Sequence, residues 1–313
     1  MIKIAVVMDP IENINPIKDS SFAMMLEAQK RGYEIHYITA NHLYCKHGKA
    51  MAKTQHISVT DSATDWYKLK PHNHTALNEF QIILMRKDPP FNMEYIMDTY
   101  VLDQTKPNTH VINKPQALRD ANEKFFTETF PECTPDNVIS RDVNILKSAI
   151  MDLGDAIVKP MDGMGGDSIF KTHKNDKNLN VILETVTQNG TKTTMIQKFI
   201  PAISQGDKRI LMINGEAVPY ALARIPSAED FRGNLAKGGT GKGLPLSKSD
   251  YKICEIVGPK LKEMGIVFAG IDVIGEYLTE VNVTSPTCIR ELDKIFDLNI
   301  AGELFDCIEQ DIL

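Results

Sequence analysis

Four absences narrow the field. The 313 residues contain no C-x-x-C pair, and the five cysteines (Cys45, Cys133, Cys254, Cys288 and Cys307) are odd in number and far apart. Neither a disulfide framework nor a zinc ribbon is supported, and the pattern points to reduced thiols in a cytoplasmic enzyme. There is no basic excess: 35 Lys and Arg stand against 41 Asp and Glu, a net charge of −6. That balance argues against a nucleic-acid partner. No stretch approaches the roughly 18 apolar residues that span a bilayer, so no membrane partner is expected. The opening Met1–Pro10 meets Asp9 too early to read as a secretory leader.

The fourth absence is glycine after the first strand. Residues 2–8 read as a short, apolar, β-branched strand, followed by Asp9-Pro10-Ile11-Glu12-Asn13. A dinucleotide-binding turn needs G-x-G-x-x-G at this point. The region is nonetheless organised as a parallel α/β sheet. Asp19, Ser20 and Ser21 offer N-caps to a helix carrying Phe22, Met25 and Leu26, with Gly32 closing it. Strands follow at Tyr33–Thr39, Phe80–Met85 and His110–Ile112, with a helix around Met93–Gln104. Strands alternating with helices predict a Rossmann-like shape without the dinucleotide function.

The pattern changes after about residue 122. Asp207–Ile213 and Ala217–Arg224 flank Asn214-Gly215, a strong hairpin signal. Ile266–Ile274 and Tyr277–Val283 flank Gly275-Glu276. Adjacent antiparallel strands mixed with helices predict an α+β domain, and the boundary is placed near 121.

Candidate chemistry concentrates in this second part. Asp272 lies on one strand of a hairpin; Glu280 and Asn282, two apart on the other, point to one face. Two carboxylates and an amide oxygen suit Mg²⁺, which prefers hard oxygen donors. A merely solvated strand face is the alternative. Lys124 and Lys159 could each hold a nucleotide phosphate as a point charge, or be ordinary surface lysines. Lys159 ends a strand and feeds Gly163-Met164-Gly165-Gly166, where backbone N–H groups could meet an anion. A flexible turn is the alternative. Residues 232–243 form a second glycine-rich stretch, read as a long loop able to close over substrate, or else a disordered one. Asp207, Arg209 and Arg224 share a hairpin, with Arg86 and Arg290 at other element ends; such arginines clamp carboxylates or phosphates, or make isolated salt bridges. His72-Asn73-His74 looks metal-like, but nothing nearby completes a site.

In order along the chain, Lys124, Lys159 with its glycines, the strand Met195–Pro201, Asp207-x-Arg209, Asp272 and Glu280-x-Asn282 resemble the ATP-grasp superfamily. Within it the chain is similar to the bacterial glutathione synthetases over nearly its whole length. The matching runs include Lys18–Met24, Ile83–Phe91, Lys159–Gly166, Gly206–Arg209, Leu222–Pro226, Arg232–Ala236 and Asn282–Glu291. The resemblance implies a pre-ATP-grasp domain over 1–121 and an ATP-grasp domain over 122–313, with a lid at about 122–200 and a catalytic part at 201–313. It implies ligation of γ-glutamylcysteine and glycine at the expense of ATP, through an acyl phosphate, with Mg²⁺ or Mn²⁺, in a cytoplasmic homotetramer.

Site roles follow from the same resemblance. Lys124, Lys159, Gly163, Gly165, Gly166, Asp207 and the segment Gln197, Lys198, Phe199 and Ile200 would bind ATP. Lys159, Arg209 and Arg224 would be catalytic. Lys18, Arg86, Arg209, Arg224, Arg232, Asn282, Ser285, Pro286 and Arg290 would bind substrate, and Asp272, Glu280 and Asn282 the cation. Two positions depart from the pattern: Lys198-Phe199 stands where Asn-Tyr is expected, and Asp167 where a small residue is commoner. Residues 41–78 match weakly and read as a variable region. Competing readings are a D-alanine–D-alanine ligase-like enzyme, separable by amine and carboxylate preference, and a synapsin-like scaffold without turnover. The scaffold should show eroded metal and arginine positions, whereas all are present.

Overall fold

A computed structural model describes residues 1–163, 165–227, 233 and 240–312. Three sheets organise them. The first contains β1 (Lys3–Met8), β2 (Glu34–Thr39), β3 (Leu43–Lys46), β4 (Lys49–Val59), β5 (Tyr67–Leu69), β6 (Asn73–Ala76), β7 (Ile82–Met85) and β8 (His110–Ile112). Its path runs β3-β4-β2-β1-β7-β8, with β5 and β6 also pairing with β4. The strands β2, β1, β7 and β8 are parallel, as expected. The weakly matching segment 41–78 is a correction to a wholly parallel sheet: β3–β6 form an antiparallel extension attached through β4 to β2. Along β4 the inward positions Ala50, Ala52 and Thr54 are fully buried but small or polar. They give little hydrophobic periodicity to read.

Helix α1 (Ser20–Lys30) starts where Asp19 accepts the Phe22 N–H, and Gly32 takes φ +76° just past its end. Helix α2 (Met93–Leu102) lies between β7 and β8 in sequence, and α3 (Pro115–Asp120) follows β8.

The second sheet is antiparallel, with β9 (Asn137–Ser140), β10 (Asp155–Pro160), β11 (Phe170–His173) and β12 (Thr194–Lys198) in the order β11-β10-β12-β9. With α4 (Val143–Leu153) and α5 (Leu179–Val186) it builds a core of its own, centred on Leu146, Ile150, Val158, Leu183 and Ile196. The third sheet runs β15-β14-β13-β16-β17, from β13 (Asp207–Ile213), β14 (Glu216–Ile225), β15 (Thr240–Pro245), β16 (Phe268–Ile274) and β17 (Tyr277–Asn282). Its residues share two apolar clusters with the first sheet: Val7 and Ile83 pack in the cluster that holds Ile210 and Ile271, and Val6 and Leu84 in the one that holds Leu211 and Phe268. Helices α6 (Lys248–Met264), α7 (Ile289–Phe296) and α8 (Ile300–Asp311) complete these cores.

Two details of the third sheet matter below. Asn214 and Gly215 both take positive φ in the β13–β14 turn, 48° and 86°, as a tight hairpin with right-handed twist requires. A Cβ on Gly215 would lie 2.7 Å from the Gly258 carbonyl oxygen in α6, so the turn rests directly on the helix backbone. Secondly, the loop reading of 232–243 is corrected for 240–243, which belong to β15 and pair with β14, from Thr240 opposite Ile225 to Gly243 opposite Leu222. Gly243 is there because a Cβ would fall 2.6 Å from the Phe296 ring. Residues 228–232 and 234–239, Arg232 among them, and Met164 lie outside the described residues.

Candidate active site

The third sheet lines up charge by register. Arg224 on β14 faces Asp207 on β13, Arg209 on β13 faces Asp272 on β16, and Asp272 faces Glu280 on β17. Strand alternation puts these on one face and the apolar partners on the other. Arg209 grips Asp272 with two bonds, Nε to Oδ1 at 2.5 Å and Nη2 to Oδ2 at 3.0 Å. Arg224 Nη2 bridges Asp272 Oδ2 at 2.8 Å and Asp207 Oδ2 at 2.5 Å. Gly270 makes the first grip possible, since a Cβ there would sit 2.8 Å from Arg209 Cδ.

Burial alone would favour a neutral Asp272, but the two guanidinium groups outweigh it and hold the carboxyl far below its usual range. Asp207 shows the opposite balance: burial, helped by Asp272 and Glu280, pushes it up to about 6 despite Arg224. Among the described residues, Arg224 Nε and Asp207 Oδ1 are buried with no hydrogen-bond partner. Polar atoms left so in an interior call for a ligand or solvent to meet them.

The facing wall comes from elsewhere in the chain. Asn122 Oδ1 accepts the N–H groups of Lys124 and Phe125, at 3.1 and 3.0 Å, and so fixes the turn that aims Lys124 inward. Lys124 is 2% exposed; its Nζ donates to Glu123 and to the Gly163 carbonyl at 2.7 Å, with Glu280 at 3.9 Å. Burial opposes its charge, yet Glu280 and Glu123 raise its pKa. Lys159 on β10 is also buried, but among the described residues no carboxylate lies within ion-pair distance of it. Burial lowers its pKa, and only the longer-range pull of Glu280, Asp207 and Asp272 acts against that.

These residues enclose one cleft of about 300 Å³, within the range of small-molecule sites. Lys124, Lys159, Gly163, Gly165, Gly166, Gln197, Lys198, Phe199, Ile200, Asp207, Arg209, Arg224, Asp272, Glu280, Asn282 and Ser285 all line it. Lys18, Arg86, Pro286 and Arg290 do not. Arg86 is buried and donates to Ser21 Oγ at 3.0 Å and to the Pro286 carbonyl at 2.8 Å. Arg290 pairs with Asp61 at 2.7 Å, and Lys18 is exposed. Their loops nonetheless adjoin the cleft, because Ile289 N–H donates to Ser20 Oγ at 3.2 Å and Ser285 is on the wall.

Sequence reasoning passed over Glu123, Asp88, Thr287 and Gly270. An acid directly before Lys124 was a usable signal for Glu123. Gly270 had none, because its reason is a side chain on another strand. Among the described residues no cluster of three His, Cys, Asp or Glu side chains could hold a metal, and the His42–His72 pair, with ring centroids 5.3 Å apart, stays a pair. The donors Asp272, Glu280 and Asn282 offer three hard oxygens on one face, of which Glu280 is partly exposed and pairs with no arginine among the described residues. That set fits a divalent cation that prefers oxygen.

Comparison with known proteins decides the family. Residues 2–119 match the prokaryotic glutathione synthetase N-terminal domain, and residues 123–297 match the prokaryotic glutathione synthetase ATP-grasp domain. The chain belongs to the prokaryotic glutathione synthetase family. A glutathione synthetase of Vibrio parahaemolyticus is 53% identical over 311 residues, covering 99% of this chain and 98% of that one. One of Escherichia coli is 51% identical over 310 residues, with the same coverage. Among solved structures, the D-cycloserine synthetase DcsG aligns with a TM-score of 0.67 at 12% identity, covering 98% of each chain; that likeness shows the fold. The chain is thus an ATP-dependent ligase of ATP-grasp fold that works with a divalent cation. No helix among the described residues is long and apolar enough to cross a membrane.

Proposed function

We propose that this cleft joins γ-glutamylcysteine to glycine, with ATP as the source of driving force and ADP and phosphate as by-products. The observation that carries the reading is the convergence of Lys124, Lys159, Arg209 and Arg224 on one cleft whose floor holds Glu280 and Asn282. Phosphoryl transfer asks a protein for positioning and positive charge more than for a nucleophile. Among the described residues that line the cleft no nucleophile–base pair is offered, whereas Lys124, Lys159, Arg209 and Arg224 supply positive charge.

In this reading the γ-phosphoryl group passes to the cysteinyl carboxylate, whose oxygen forms the new P–O bond while the bond to ADP breaks. The glycine amine then attacks the acyl carbon and expels phosphate. Lys124 and Lys159 hold the nucleotide phosphates, and Gly163, Gly165 and Gly166 bring backbone N–H groups near them. Gln197 to Ile200 supports the adenine. Arg209 and Arg224 stabilise the acyl phosphate, with Arg224 Nε as a donor that has no partner among the described residues. Asp272, Glu280 and Asn282 would hold Mg²⁺, or Mn²⁺ in its place, which when bound neutralises charge on the phosphates. Ser285 on the wall, with Lys18, Arg86, Pro286 and Arg290 just beyond it, receives the carboxylates of the peptide substrate, and Arg232 joins them.

The same reading divides the chain into a substrate domain at 1–121 and an ATP-grasp domain at 122–313, with 122–200 as the lid. The separate core of the second sheet supports a lid able to move as a body. A cytoplasmic homotetramer is expected, and sedimentation velocity measures it. The deciding assay is ADP release from Mg·ATP with γ-glutamylcysteine, with and without glycine. Release that needs both, with glutathione formed, supports the reading. Release only with other acid–amine pairs would keep the ligase and remove the substrate.

A further inference from the structure

We infer that Glu123 is a positioning residue that sets which end of the Asn282 amide faces the cation site. The inference rests on the reading of Glu280 and Asn282 as cation ligands. Glu123 is tied to the very strand that carries them: the Val281 N–H donates to the Glu123 carbonyl at 2.8 Å. Its carboxylate is 18% exposed, accepts from Lys124, and lies on the wall of the cleft.

An asparagine amide presents an acceptor at one end and a donor at the other, and the two ends have nearly the same shape. One end of Asn282 lies 3.3 Å from Arg209 Nη2; the other lies 3.2 Å from Glu123 Oε2. With oxygen toward Glu123, two acceptors face each other, and the NH₂ group meets only Asp272 Oδ2 at 3.4 Å on the guanidinium side. With nitrogen toward Glu123, the amide donates to a carboxylate and accepts from a guanidinium. Both bonds are then made, and both are charge-assisted. Glu123 therefore turns the oxygen of Asn282 to the side of Arg209 and Asp272. Without that carboxylate the NH₂ end competes for the same place, and an NH₂ group cannot ligate a cation.

The test is a double-mutant cycle read by Mn²⁺ affinity, from the EPR signal of free Mn²⁺ above the equimolar ADP complex. Glu123→Gln should weaken Mn²⁺ binding about tenfold where residue 282 is Asn, the size expected for losing one hydrogen bond to a charged group. Asn282→Asp has an oxygen at both ends and nothing left to orient. In that background Glu123→Gln should cost less than about twofold, or strengthen binding by removing a like charge. Equal losses in both backgrounds would overturn the inference, since a direct ligand or a through-space charge acts alike in each. Glu280→Gln separates the underlying reading: if it leaves Mn²⁺ affinity unchanged, the ligand assignment is wrong and the inference falls with it. Thermal midpoints of the four variants show whether each is folded, and an N282D fold that survives keeps the cycle decisive.

Discussion

Arg209 and Arg224 on one wall of the cleft and Lys159 on the other are held in opposite ways. On the third sheet Arg209 and Arg224 are locked into carboxylates across β13, β14 and β16, at distances of 2.5 to 3.0 Å. On the second sheet Lys159 is buried with no carboxylate within ion-pair distance among the described residues. The first arrangement is preorganised and stabilises the fold only while it stays whole. The second is a buried charge whose partner is supplied by the ligand, at a cost to the empty protein. The two arginines fix geometry, and Lys159 waits for phosphate.

The largest effect should come from breaking the locked wall. Arg209→Met removes a donor from the acyl phosphate and leaves the buried Asp272 with Arg224 in place of two guanidinium partners. Ligation should fall about 10²- to 10³-fold, and stability by about 3–5 kcal/mol, read by ADP release and thermal unfolding. Normal ligation in this variant would end the comparison. Lys159→Met is the contrasting case. The KM for ATP should rise about tenfold or more, because a charged contact to phosphate is lost, while the thermal midpoint stays level or rises. A clear drop in midpoint would show that Lys159 is paired as firmly as Arg209.

A pair outside the cleft sets the scale for burial acting on one acid. Burial pushes Asp98 up to about 6, against the pull of Lys87 at 3.9 Å. Below about pH 4 the folded and unfolded chains both carry the proton, and nothing is lost. As pH rises toward 6 the unfolded chain releases it first, so stability falls, and the cost is complete above that pH. Asp98→Asn should therefore match the parent near pH 4 and exceed it by about 2 kcal/mol at pH 7. A constant difference across that range would deny the shift. The smallest effect belongs to Arg290→Ala, at the rim: a KM for γ-glutamylcysteine raised about threefold, the size of a partly exposed ion pair, with the KM for ATP unchanged.

The sequence carried the strands of the third sheet more fully than the pairing between them. Both hairpins of the third sheet were legible because Asn214-Gly215 and Gly275-Glu276 are strong local signals, and alternation then placed Glu280 and Asn282 on one face. Of the parallel strands, β1 and β7 were legible as apolar runs and β2 by its alternation. The β3–β6 extension was not, because Ala50, Ala52 and Thr54 bury completely without looking like core. Nor was β15, because Gly241 and Gly243 signal a loop unless Phe296 and Leu222 are known to press on them. The ion array needed register across four strands. That information is carried by pairs distant in sequence, such as Arg209 and Asp272, rather than by any one segment.

The contact of the Asn214-Gly215 turn with Gly258 extends the reach of the site beyond its own residues. Backbone meets backbone there with no side chain to absorb an error. Any atom added at Gly215 or Gly258 must lift the turn off the helix, and β13 is the lever that carries the shift. Six residues along that strand, roughly 20 Å away, stands Arg209. A substitution at this pivot would be scored in an activity screen as a catalytic defect, although it touches neither nucleotide nor peptide.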